Sequence, residues 1–153
     1  MNKSTKEILL RFDEIGRYET PNQFDYTDLK RRVVELSKNL QQQFGHLFKV
    51  DDQVQDASFF CDLIIPIQLV VNPQSNIGYS IRISNFGNLA TINFREEYKQ
   101  EVSNLIIEQL EKEDFLFVDA DELDVDYDGK FDDFKKITPD YEPSWYIRYF
   151  DYL

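Results

Sequence analysis

The sequence predicts an α+β domain: an antiparallel sheet of about five to seven strands, including a three-strand meander, against two or three helices. Three observations predict it. An apolar stripe at helical spacing runs from Leu29 to Phe44. Period-two apolar runs follow between Phe59 and Phe94. A second helical stripe then precedes further short runs near the carboxyl end. No repeat, linker or low-complexity tract divides the chain, so residues 1–153 read as one domain.

Each element has a local reason. Ser4 and Glu7 form a capping box, and Ile8, Leu9, Phe12 and Ile15 recur behind it, so a first helix is expected over about 5–16, with Gly16 as its stop. Thr20-Pro21-Asn22 breaks the chain. Asp25 or Thr27 caps a longer helix with Leu29, Val33, Leu36, Leu40 and Phe44 on its inner face, ended by Gly45. From Ala57 to Val71 every odd position from Phe59 onward is apolar, which is one core-facing side of a strand. Pro66 cannot donate a ladder hydrogen bond and marks an edge or bulge. Ile77, Tyr79, Ile81 and Ile83 alternate with small or polar residues, and Ala90, Ile92 and Phe94 continue after a tight connection. These runs make a meander with one wet face.

Asn93 and Glu96 form a second capping box, opening a helix to about Lys112 with Tyr98, Val102, Leu105, Ile106 and Leu110 inside. Phe115 to Val118 is a short strand. Leu123, Val125 and Tyr127 alternate with Asp124, Asp126 and Asp128, which predicts a strand with an acidic outer face and a hairpin at Asp128-Gly129, returning over Phe131 to Phe134. Ser144 to Phe150 reads as a last strand, with Tyr146, Arg148 and Phe150 together on one side.

The charge is unevenly placed. The chain carries 29 acidic and 17 basic residues, net −12. Residues 1–95 hold 11 of each sign, whereas residues 96–153 hold 18 acidic and 6 basic residues. Between Asp119 and Asp133 eight acids face Lys130 alone. Such polarity steers a charged partner over a distance. It opposes sequence-independent nucleic-acid binding, which needs Lys and Arg on phosphates. The start lacks the apolar run of a signal peptide, and no segment approaches the ~20 apolar residues of a membrane span. A cytoplasmic setting without membrane contact is expected.

Catalytic chemistry finds little support. Cys61 and His46 are the only residues of their types, so no disulfide framework and no Cys/His zinc site is expected. His46 reads as a helix-end histidine, and Cys61 as a small core residue. Asp124 to Gly129 matches the first half of a calcium loop, and Asp132 falls at position 9, but Lys135 stands where the bidentate glutamate belongs. No glycine-rich phosphate loop is present, and no cofactor is expected. Lys30, Arg31, Arg32 and Lys38 read as a solvated helix face.

A stoichiometric binding protein therefore leads. The contact surface is assigned to Asp121, Glu122, Asp124, Asp126, Asp128, Asp132 and Asp133, with Tyr146 and Arg148 as interface anchors. Two other readings stand beside it: an inhibitor or adaptor that mimics nucleic acid before another basic partner, and a small enzyme using paired carboxylates.

The last nine residues, Trp145-Tyr146-Ile147-Arg148-Tyr149-Phe150-Asp151-Tyr152-Leu153, bear on this choice. In a small acidic α+β chain, this aromatic Trp-x-x-Arg-Tyr-Phe close resembles immunity proteins of bacterial polymorphic-toxin and contact-dependent growth inhibition systems. The resemblance implies one-to-one neutralisation of a cognate basic toxin domain, often a nuclease, by covering its active site or a nearby exosite. It carries over no catalytic residue.

Overall fold

The computed structural model describes residues 1–52 and 60–151. Helices α1 (Lys3–Phe12) and α2 (Tyr26–Phe44) come first, then strands β1 (Lys49–Asp51), β2 (Phe60–Ile64), β3 (Ser80–Ser84) and β4 (Leu89–Ile92). Helix α3 (Gln100–Lys112), strand β5 (Leu116–Phe117) and the short helices α4 (Ala120–Leu123) and α5 (Trp145–Phe150) complete the chain. The fold is α+β, as expected. The sheet runs β1-β2-β3-β4-β5. Its first four strands are antiparallel; β5 joins β4 in parallel, and α3 supplies the crossover that a parallel pair needs.

Register sorts the side chains. Cys61 lies opposite Ile83 and Leu63 opposite Ile81, while Ile81 and Ile83 lie opposite Ile92 and Ala90. Directly opposed residues share a face. All six are buried beneath Leu29, Val33, Leu36 and Leu40 of α2 and Ile106 and Leu110 of α3. Each fully buried Leu or Ile contributes roughly 1.5–3 kcal/mol. Helix α2 matches its expected caps: Asp25 Oδ1 accepts from Asp28 N at 3.1 Å, and Gly45 adopts φ 71°. The expected position Phe59, like Ala57 before it, lies outside the described residues.

The other sheet face corrects the expectation of a wet side. Ser80, Ser84 and Thr91 are buried there. A second core, containing Leu9, Phe86, Leu89, Leu123, Tyr127, Phe131, Phe134, Trp145, Tyr149 and Phe150, forms from α1, α5 and the segment between α4 and α5. The carboxyl-terminal residues expected to extend the sheet cover it instead.

Five elements differ from expectation for local reasons. Residues 145–150 are helical because Ser144 Oγ accepts from Ile147 N at 3.2 Å, which caps the helix, and Trp145, Arg148 and Tyr149 bury at i, i+3 and i+4. Residues 123–128 are not a strand. Only an isolated bridge, Asp126 to Ser144, forms there; Leu123 enters the core from the end of α4, and Tyr127, Phe131 and Phe134 enter it from irregular backbone and a 3-10 turn. Helix α3 starts at Gln100, not after Asn93, because the Asn93 side chain bonds Ser80 and Tyr146 instead of capping. Helix α1 is capped by Asn2, not Ser4, and ends at Phe12 because Asp13 turns into the core. Strand β2 stops at Ile64, and Pro66 leads a 3-10 turn outside the ladder.

Candidate partner-binding site

A buried ion pair fixes the acidic segment. Arg148 Nε donates to Asp13 Oδ1 at 3.0 Å, and both side chains are 0% exposed. Arg148 also donates to the carbonyls of Glu14 at 3.2 Å and Tyr18 at 3.5 Å, and its guanidinium lies 4.7 Å from the Phe86 ring centre. Asp13 Oδ2 accepts from Tyr127 Oη at 2.5 Å and from Lys130 N at 2.7 Å. Tyr127 Oη in turn accepts from Phe131 N at 2.9 Å. Burial, with the Asp13 carboxylate beside it, pushes the Tyr127 hydroxyl well up. Residues 127–131 are thus tied to the end of α1 by three hydrogen bonds to or through one carboxylate. The burial of Arg148 removes it from the expected contact surface.

The acidic residues divide into engaged and unengaged groups. Glu122 accepts from Asn2 Nδ2 at 2.8 Å and Asn2 N at 3.1 Å, which hold its carboxyl below the usual range. Asp128 accepts from Trp145 Nε1 at 2.9 Å and pairs with Lys6, whose ammonium burial lowers. Asp132 pairs with Lys135 at 2.9 Å. Asp121, Asp124, Asp126 and Asp133 are exposed, and among the described residues none of them makes an ion pair. The seven acids expected to form the contact surface therefore include four outside any ion pair among the described residues.

Next to Asp121 lies a recess of about 510 Å³ that sequence reasoning missed. Its walls include Arg82, Asn93, Phe94, Arg95, Glu96 and Tyr146. Arg82 makes a bidentate pair with Asp62, 2.9 and 3.0 Å, and donates to Phe150 O at 2.7 Å. Burial raises the Asp62 carboxyl, and the guanidinium opposes that rise. Tyr146 Oη donates to Asn93 Oδ1 at 2.8 Å, and burial raises its hydroxyl. Arg95 pairs with Asp119, the cap of α4. Tyr146 and Arg148, expected side by side, are separated: on a helix, two positions apart point to opposite sides. A lone Asp62 and a lone Arg82 within apolar strands were the legible sign of a cross-strand ion pair.

Elsewhere the chemistry is quiet. Cys61 is buried, and desolvation pushes its thiol up to about 12. Among the described residues no group of three His, Cys, Asp or Glu is placed to hold a metal ion, and no helix is long and apolar enough to cross a membrane. Compared with protein-family models, curated proteins and solved structures, the chain shows no match.

Proposed function

We propose that this chain is a non-catalytic, immunity-type inhibitor that acts in the cytoplasm by covering a basic surface of a cognate toxin domain. The observation that carries the reading is an anchored acidic segment with four exposed carboxylates outside any ion pair among the described residues. Asp121, Asp124, Asp126 and Asp133 are exposed to solvent, while the Asp13–Arg148 pair and Trp145 hold the segment that bears them. A preorganised segment loses little entropy on binding, and its field speeds encounter with a cation-rich partner. The recess favours binding over acid/base catalysis, because Asp62 and Asp119 are each held in an ion pair with a guanidinium.

Affinity capture from the native host, then association kinetics with the captured protein, tests the reading. The triple variant Asp124→Asn/Asp126→Asn/Asp133→Asn should slow association about tenfold at low salt and flatten its salt dependence. The captured protein should be toxic alone and silent when co-expressed with this chain. Unchanged association and salt slope in the triple variant would discard the acidic face. A captured protein that binds nucleic acid but harms no cell would favour the nucleic-acid mimic.

A further inference from the structure

We infer that the recess beside Asp121 receives an arginine side chain of the protein partner; this rests on the inhibitor reading and names the chemistry that the site recognises. Four observations converge. The recess, about 510 Å³, has ample room for a long side chain. Its two cations are already matched, Arg82 by Asp62 and Arg95 by Asp119, so they do not set its sign. Glu96 and Asp121 on its wall are exposed and make no ion pair among the described residues. Phe94, also on the wall, is 43% exposed although the Tyr79 ring packs against it in a T-shaped pair with ring centres 6.0 Å apart.

Phe94 is the most telling of these. It adopts φ 56° and ψ 45°, a left-handed conformation that costs a bulky residue stability. Glycine would relieve the backbone and remove the exposed ring together. A strained aromatic beside unmatched carboxylates suits a guanidinium, which stacks on ring faces and donates in a planar fork to carboxylates. Lysine, a compact and strongly hydrated charge, gains less from the ring. Tyr146, fixed by its bond to Asn93, also lines the recess.

The test is a titration of the isotope-labelled full chain with N-acetyl-arginine amide, followed by amide NMR shifts. Shifts at Phe94, Arg95 and Asp121 should saturate, and the neutral isostere N-acetyl-citrulline amide should bind at least tenfold more weakly. Phe94→Gly should weaken arginine binding at least threefold while its melting temperature stays the same or rises. Glu96→Gln/Asp121→Asn should weaken it by a similar factor. Equal binding of citrulline, or arginine shifts no larger here than at Asp124 and Asp126, would overturn the assignment. If the socket fails while the acidic triple variant still slows the captured toxin, the inhibitor reading stands alone. If arginine binds here but no toxin is captured, the socket stands and the inhibitor reading falls.

Discussion

Asp13 and Arg148, 135 positions apart, form a fully buried ion pair at 3.0 Å that joins the end of α1 to α5. Around it, Tyr127 and the backbone of Lys130 complete the hydrogen bonds of the carboxylate. Removing one partner strands the other charge in the core. Asp13→Asn and Arg148→Met should each lose about 3–5 kcal/mol in urea unfolding. The pair Asp13→Leu/Arg148→Met should recover part of that loss but not all, because Tyr127 and Lys130 N then lack their acceptor. A loss under about 1 kcal/mol in either single variant would show that the pair is not structural.

The glycines should differ in cost. Gly45 adopts φ 71°, and an added Cβ there would meet nothing within 4 Å. Gly45→Ala should cost about 1–2 kcal/mol from the backbone alone. Gly87 adopts φ 58°, and its Cβ would fall 2.2 Å from Phe12 Cγ. Gly87→Ala should cost more, with about 1–3 kcal/mol added for displacing a half-buried ring packed on the second core. Thermal melts of both variants rank them.

Stability should fall with alkalinity. Folding holds the Cys61 thiol up to about 12, whereas an unfolded thiol titrates near ~8.5. Between these values the unfolded chain releases a proton that the folded chain keeps, so rising pH favours unfolding. Tyr127 and Tyr149, also raised by burial, add the same sign above about pH 10. The urea midpoint should be lower at pH 10 than at pH 8, and Cys61→Ala should flatten that difference. A thiol reagent at pH 8 should label Cys61 only on unfolding.

Engaged and free carboxylates should separate in stability measurements. Asp128→Ala removes the acceptor of Trp145 Nε1 and the partner of Lys6, and should cost about 0.5–1.5 kcal/mol. Asp124→Asn and Asp126→Asn should each stay within about 0.5 kcal/mol of the parent. Trp145 is the only tryptophan and is fully buried, so its emission should red-shift on unfolding and serve as the readout.

Ser144→Ala removes the cap of α5 and should cost about 1 kcal/mol. Retention of full stability would mean that packing of Trp145 and Tyr149 alone holds the helix.

Helix α2 was legible throughout because its stripe, its Asp25 cap and its Gly45 stop are all local. The buried face of β2 and β3 was legible for the same reason, since period two survives any partner. Helix α5 was not. Trp145 to Phe150 is bulky or aromatic at nearly every position, so no period distinguishes strand from helix, and only the Ser144 cap and the covered sheet face decide it. The acidic alternation at 123–128 misled because a strand needs a ladder partner, and Ser144 offers a single bridge.

The sequence by itself determined the fold class, the α2 helix, the core side of the meander and the concentration of negative charge after Glu96. Those properties are properties of neighbours in the chain. Only the tertiary structure decided which carboxylates enter ion pairs, that Arg148 is buried against Asp13, and that Phe94, Glu96, Asp121 and Tyr146 line one recess. Ion pairing and burial depend on which distant residues meet, and those meetings are set by packing across the sheet.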